Sequence, residues 1–399
     1  MTHDDAAQEA LRASLRALSP ALRARLEARG FRDEELVARA REAAAGSKDE
    51  RNRLTGSVLP PGPGDLVDAP SGDDVARLRA LGALALARGE VALCVLAGGM
   101  ATRMGGVVKA LVEVFGEAGA PPSVGGLPAE LMGKTFLELR LAEVDALARR
   151  HGAPVPLWLM TSEATNGPIR DALARAGRAA DPHVQTFEQH VSLRLTREGR
   201  LFETDEGPSV YATGHGDLPD ALQASGLLAR FVERGGKWVW IANLDNLGAT
   251  VDAAILGQHL ESGERVSVEL VDKVGSDRGG GPVLWNGQKL ITEEFRLPLG
   301  FDPATVPVFN TNTFLVSAKA LLDLRMQFTW VEVEKDVGGK KAVQFERLVG
   351  ELTRELPPRL LRVPRAGAGS RFLPVKDVPE LERRRPEIWA VLASRVFGE

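Results

Sequence analysis

Only one cysteine, Cys94, occurs in 399 residues. One thiol excludes an intrachain disulfide framework, and its place inside an apolar run predicts a buried core residue. The six histidines are scattered and, with a single Cys, make no Cys/His metal site. No apolar run approaches the length that spans a membrane. The N-terminus, Met1-Thr2-His3-Asp4-Asp5, lacks a basic n-region and an apolar h-region, so no secretory signal is read. The expectation is a cytoplasmic, reduced protein. A formal net charge of −4 gives no electrostatic case for binding nucleic acid or membrane. G-x-x-x-x-G-K-[ST] and G-x-G-x-x-G are both missing, which excludes a P-loop and the dinucleotide fingerprint. Neither a Ser-His-Asp nor a Cys-His constellation is present. Internal repeats and low-complexity tracts are also absent.

What is there is enough for a sizeable core: 44% of residues are hydrophobic, and the length suits one large domain or two. Residues 1 to about 56 are rich in Ala, Arg, Leu and Glu and read as amphipathic helices, clearest over Ala6–Leu18 and Leu22–Ala28, with breaks at Ser19-Pro20 and Gly30. A cap packed on the main domain is the expected role. A partner-binding arm is the alternative. Leu59-Pro60-Pro61-Gly62-Pro63-Gly64 interrupts any regular element. Strands and helices then alternate. Strands are predicted at Val91–Ala97, Pro156–Met160, Trp238–Ala242 and Val266–Val271. Helices are predicted at Thr135–Arg150, Pro168–Ala176, Pro219–Arg234 and Val251–Ser262. That pattern predicts an α/β fold with a mixed, mostly parallel sheet flanked by helices. Two hairpins are predicted, one turning at Glu198-Gly199 and one at Asn286-Gly287-Gln288. The expected organisation is a helical segment and linker (1–80), a catalytic domain (81–376) and a short helical tail (377–399).

The segment Val91 to Lys109 carries the most chemistry. A buried strand ends in Ala97-Gly98-Gly99, and Thr102, Arg103, Gly105, Gly106 and Lys109 follow. Paired glycines let backbone N–H groups approach an anion, and Arg103 and Lys109 add positive charge. The set suits a triphosphate cradle. In open α/β sheets ligands bind beyond the carboxyl ends of strands, and Asn243-Leu244-Asp245-Asn246 lies beyond another such end. Asp245 suits a Mg²⁺ ligand, since that ion is held by one or two carboxylates plus phosphates. An Asx-turn is the other reading. Gly214-His215-Gly216-Asp217 offers an imidazole between two glycines. Gln189 offers a carboxamide that donates and accepts together. Asn310 and Asn312, two apart on an extended segment, point to one side and suit a polyhydroxylated sugar.

Taken together, L-A-G-G-M-A-T-R-M-G…K, G-H-G-D (Gly214 to Asp217), S-G-L-L (Ser225 to Leu228), N-L-D-N-L-G-A (Asn243 to Ala249), F-N-T-N (Phe309 to Asn312) and S-R-F-L-P-V-K (Ser370 to Lys376) resemble the UTP–glucose-1-phosphate uridylyltransferase family, in its eukaryotic-type branch. The resemblance implies a Rossmann-like (GT-A-type) nucleotidyltransferase. The reaction it implies joins UTP and glucose 1-phosphate to give UDP-glucose and pyrophosphate, with Mg²⁺ as cofactor. It further implies Ala97, Gly98, Gly99, Gln189 and Gly214 at the nucleotide, His215, Asn243, Glu293, Asn310 and Asn312 at the sugar, Asp245 at the metal, and Arg103, Lys109 and Lys376 at the phosphates. Galactose or N-acetylglucosamine 1-phosphate is the alternative substrate, and a UDP-sugar-dependent glycosyltransferase the alternative class. Departures exist. Arg103 stands where eukaryotic members have Ser. The long C-terminal β-helix of those relatives is not expected here, so a monomer is expected, with a dimer as the alternative.

Overall fold

The computed structural model describes residues 3–101, 104–275, 277–327 and 329–398. Its centre is an eight-stranded sheet with strands β1 (Leu66–Asp68), β2 (Val91–Leu96), β3 (Leu157–Thr161), β4 (Val184–Glu188), β5 (Trp238–Asn243), β6 (Val266–Asp272), β7 (Val308–Ser317) and β8 (Arg359–Arg362). The spatial order is β1-β8-β6-β7-β5-β2-β3-β4. Every pairing is parallel except the two made by β7. The four predicted strands are found within a residue or two of their expected ends. They are the apolar, doubly covered ones, and such runs announce themselves. The sheet is thus mixed and largely parallel, as expected.

The helices are α1 (His3–Arg16), α2 (Pro20–Glu27), α3 (Asp33–Ala44), α4 (Lys48–Asn52), α5 (Asp74–Ala87), α6 (Phe136–His151), α7 (Glu163–Arg175), α8 (Leu218–Ala224), α9 (Leu227–Glu233), α10 (Ala253–Ser262), α11 (Ala318–Asp323) and α12 (Val378–Arg395). Local signals explain several ends. Thr135 and Glu138 form a reciprocal capping box that starts α6, and Gly152 at φ 75° ends it. The helix predicted over Pro219–Arg234 is two helices, because Gly226 takes a left-handed φ of 72° between them. Helix α7 begins at Glu163, before the predicted Pro168, because Ser162 and Thr165 cap it. Pro168 lies inside it. Asn286 and Gly287, both at positive φ (49° and 83°), turn the hairpin of Gly280–Trp285 with Gln288–Glu293. The Glu198-Gly199 hairpin is also present: Thr196 N–H donates to the Arg200 carbonyl at 2.8 Å, and Phe202 N–H to that of Arg194 at 2.9 Å.

Alternate residues of β2 feed opposite cores. Val91, Leu93 and Val95 face one, and Ala92 and Cys94 face the other. Cys94 is buried, and burial pushes its thiol pKa up. Helix α12 joins the first core through Leu381, Ile388, Val391 and Leu392. The helices of residues 1–44 bury Leu11, Leu15, Leu26, Leu36 and Val37 against Val191, Leu193, Leu195, Val343 and Phe345, which is the expected cap. Val343 and Phe345 belong to a hairpin, Val331–Val337 with Lys340–Glu346, that the sequence pattern did not suggest.

Candidate functional site

The carboxyl ends of the parallel strands converge on one edge, and β7, running the other way, starts there. Most of the expected site residues lie on this edge. Ala97 is buried, and its N–H donates to the Met160 carbonyl at 2.8 Å. At Gly98 the Gln189 side chain lies across the backbone: a Cβ at 98 would sit 2.5 Å from Gln189 Oε1. A larger residue there would displace the Gln189 side chain. Gln189 follows β4 and is buried, not an exposed strand end. Ser162 Oγ donates to the Gly98 carbonyl at 2.9 Å and fixes the loop from the end of β3. Beyond Gly99 the chain makes a small hairpin, Met100–Ala101 against Val107–Val108. Arg103 lies outside the described residues. The hairpin returns Lys109, whose N–H donates to the Gly99 carbonyl.

Asn243 ends β5, in register with Leu96 of β2. Two residues on, Asp245 Oδ2 accepts from Lys109 Nζ at 2.5 Å. The side chains are 20% and 16% exposed. The two charges expected to serve metal and phosphate therefore hold one another. Two motifs distant in sequence are joined by that pair.

Lys376 is exposed, and the segment before it, at Arg371 and Leu373, is joined to this edge. Asn246 does the joining. Its Nδ2 donates to the Arg371 carbonyl at 3.0 Å, and its Oδ1 accepts from Leu373 N–H at 2.7 Å. Phe372 meets Phe309 of β7 with ring centroids 5.6 Å apart. The Asp245 loop, the Lys376 loop and the start of β7 thus form one block.

Asn310 and Asn312 meet, but not as alternate residues of a regular strand. The ladder between β6 and β7 slips at Glu269/Leu270, and Asn312 takes φ 57°. The result is a bulge, a feature frequent beside sites because it re-aims a side chain. Asn310 Nδ2 donates to Asn312 Oδ1 at 2.9 Å. Glu293 ends its hairpin against Gly279 and Gly280, and Gly279 also packs on the Phe309 ring. Burial pushes the Glu293 carboxyl pKa up.

The glycines of Gly214-His215-Gly216 admit a close approach by this chain's own backbone at Arg347 and Leu348. A Cβ at Gly214, where φ is 104°, would lie 2.6 Å from the Arg347 carbonyl oxygen. One at Gly216 would lie 2.4 Å from Leu348 N. His215 Nδ1 accepts from Val349 N–H at 2.9 Å. That bond fixes the tautomer, leaving Nε2 as a donor, and burial lowers the imidazole pKa. Asp217, in the same motif, accepts from Thr213 Oγ1 at 2.6 Å and from His190 N–H at 3.1 Å. Burial pushes its pKa up to about 7.

Several positioning groups escaped the sequence reading: Ser162, Asn246, Arg347, Arg371 and above all Arg140. Arg140 is fully buried on α6 and donates to the carbonyls of Asn243 (3.0 Å) and Asn246 (2.7 Å). A signal existed. Arg140 and Glu143 interrupt the apolar face of α6 among Phe136, Leu137, Leu141 and Val144, and charges are almost never fully buried unless paired.

Residues 86–396 match the family described as UTP–glucose-1-phosphate uridylyltransferase. The chain belongs to this family. Among its relatives, the UTP–glucose-1-phosphate uridylyltransferase of Musa acuminata is 29% identical over 308 residues, 73% of this chain and 62% of the relative. That of Saccharomyces cerevisiae is 29% identical over 312 residues, 73% and 58%. The chain therefore spans about three-fifths of the length of these relatives. Among solved structures, a UDP-N-acetylglucosamine pyrophosphorylase of Trypanosoma brucei shares the fold with TM-score 0.71 at 20% identity, covering 97% of this chain and 84% of that one. A UDP-glucose pyrophosphorylase of Leishmania major, in complex with UDP-glucose, does so with TM-score 0.69 at 23% identity, covering 94% and 78%. The family assignment agrees with the motifs, and the fold likeness extends over residues beyond the matched region.

Proposed function

We propose that this chain is a uridylyltransferase that joins UTP and α-D-glucose 1-phosphate to give UDP-glucose and pyrophosphate, reversibly. The observation that carries the reading is the Lys109–Asp245 pair at the mouth of the Gly98-Gly99 turn, with Gln189 beside that turn and the Lys376 loop bolted to the Asp245 loop by Asn246. The sugar phosphate oxygen is already ionised at neutral pH, so the reaction needs no general base. It needs placement and charge stabilisation for in-line attack at the α-phosphorus.

In this reading Gln189 reads the uracil edge, and the backbone at Ala97, Gly98 and Gly99 flanks the nucleotide, with Gly214 on its other side. His215, through Nε2–H, and Asn243, Asn310, Asn312 and Glu293 address the hexose. Lys376 offsets the repulsion between the two anionic substrates. Arg103 and Lys109 hold the triphosphate and the leaving pyrophosphate. Asp245 fits a Mg²⁺ ion, because its carboxylate already seats a cation, the Lys109 ammonium. Among the described residues no group of three His, Cys, Asp or Glu side chains surrounds it, which suits an ion completed by phosphate oxygens and water. When bound, the ion would supply charge neutralisation on the phosphates.

Pyrophosphate release tests the reading, with UTP against glucose, galactose and N-acetylglucosamine 1-phosphates, with and without Mg²⁺. Glucose 1-phosphate is expected to give the highest kcat/KM, with turnover lost on chelation. Release with none of the sugars would overturn it.

A further inference from the structure

We infer that three arginines from three separate elements hold the segment 243–251 in its working shape, and that Arg395 of α12 is a positioning residue for the site. The role assigned to the site rests on the uridylyltransferase reading. The clamp itself does not. Arg140, on α6, takes the carbonyls of Asn243 and Asn246, and its Nη1 also donates to that of Ala249 at 3.2 Å and to Glu143 Oε2 at 2.7 Å. The other Glu143 oxygen accepts from Val251 N–H at 2.9 Å. Arg371, in the loop of Lys376, donates to the Thr250 carbonyl at 2.7 Å and makes a two-pronged pair with Glu269, at 2.6 and 2.7 Å. Arg395 donates from Nη1 to the Gly248 carbonyl at 2.9 Å and from Nη2 to the Ala368 carbonyl at 3.4 Å. The carbonyls of residues 243, 246, 248, 249 and 250 are therefore all met by guanidinium groups.

A strand-end loop has carbonyls with no ladder partner, and buried ones must be satisfied. Neutral donors would suffice for that. Charged donors in a dry setting bind more strongly, and Glu143 and Glu269 offset the cost of burying Arg140 and Arg371. The arrangement also has a direction. With five carbonyls turned inward, the carboxylate of Asp245 is left to face Lys109 at the mouth. Arg395 adds, from a separate helix, a further tie beside the one Arg371 makes to Thr250. It ties Gly248, in the loop of Asp245, to Ala368, in the segment leading to Lys376. Loosening that tie alters the spacing of the opposite charges on which placement of the phosphates depends. A misplacement of about 1 Å can cost roughly 10²-fold in rate. Gln189 is fixed by β3, β4 and Gly98, away from the clamp, so base choice stays outside its reach.

The experiment uses Arg395→Met and Arg395→Lys in the full chain. Three measurements are made: amide exchange over residues 244–251, Mn²⁺ binding in the presence of UTP followed by the spin signal of the free ion, and kcat with its Mg²⁺ dependence. For Arg395→Met, exchange is expected to rise and Mn²⁺ affinity to fall about 10-fold, with kcat falling about 10-fold or more. Preference for UTP over CTP is expected to be unchanged, and Arg395→Lys to recover part of each loss, since one ammonium can reach one carbonyl but not bridge two. Unchanged exchange in a folded Arg395→Met protein overturns the clamp. Raised exchange with unchanged Mn²⁺ affinity and kcat overturns the positioning role. If Arg395→Met does not fold, the same measurements on Arg395→Lys decide. Should the wild type release pyrophosphate with no sugar phosphate, the functional reading fails, while exchange still tests the clamp.

Discussion

At the scale of single residues, the site works through contacts whose two ends are far apart in sequence. Gln189 and Gly98 are the clearest case. The side chain of one fills the space that a Cβ of the other would need. On the proposed function, a carboxamide held so closely suits a selective reader, since a site built to hydrogen-bond one base edge rejects analogues that lack the match. Gln189→Ala is therefore expected to reduce the preference for UTP over CTP and TTP more than it reduces kcat with UTP. Competition kinetics with the three nucleotides checks this, and an unaltered preference would remove Gln189 from that role. Lys109 and Asp245 are a second case. Each was visible in its own motif, but nothing in the spacing of the motifs says that the two charges pair. Pairing depends on parallel β2 and β5 lying side by side. Sequence shows a residue's chemistry more readily than its partner. Arg140 is a case of this: its break in the apolar face of α6 signals a paired charge, but not which carbonyls it meets.

The elements divide by how strongly they are signalled. Strands β2, β3, β5 and β6 are continuous apolar runs and could be placed from the sequence. Strands β1, β4 and β8 are short or mixed in character, and only pairing makes them strands. Strand β7 was half legible: Asn310-Thr311-Asn312 was read as extended, but a bulge cannot be seen without the partner strand. The turn at Gly214 makes an internal contact that its motif did not announce. Its glycines admit the backbone of Arg347–Val349, which in turn fixes the ring of His215. Gly214→Ala adds a Cβ against the Arg347 carbonyl at φ 104°. Strain of this kind costs about 1–3 kcal/mol, and the expected result is a lower midpoint of urea unfolding together with impaired glucose 1-phosphate binding. An unchanged midpoint would mean that Gly214 and Arg347 do not approach as described.

For the whole molecule, the helical cap is the part whose removal has the largest predictable effect. Helices α1 to α3, within residues 1–44, pack on Val191, Leu193, Leu195, Val343 and Phe345, which are apolar and buried. Deleting that segment bares a contiguous apolar face, and such faces drive association. The truncated chain is expected to form larger species than the intact one at the same concentration. Light scattering at micromolar concentration distinguishes the two, and a monomeric truncation product would show that the cap is not what shields this face.

The sheet order also bears on how the chain is made. Among the described residues strand β1 pairs only with β8, and nearly three hundred residues separate them. During synthesis β1 leaves the ribosome early and waits unpaired, while the far side of β6 stays an open edge until residues 359–362 appear. Helix α12, which completes the first core and carries Arg395, emerges later still. A nascent chain therefore holds the Gly98-Gly99 turn, the Asp245 loop and most of the sheet before the helix that ties the Asp245 loop through Arg395 has been made.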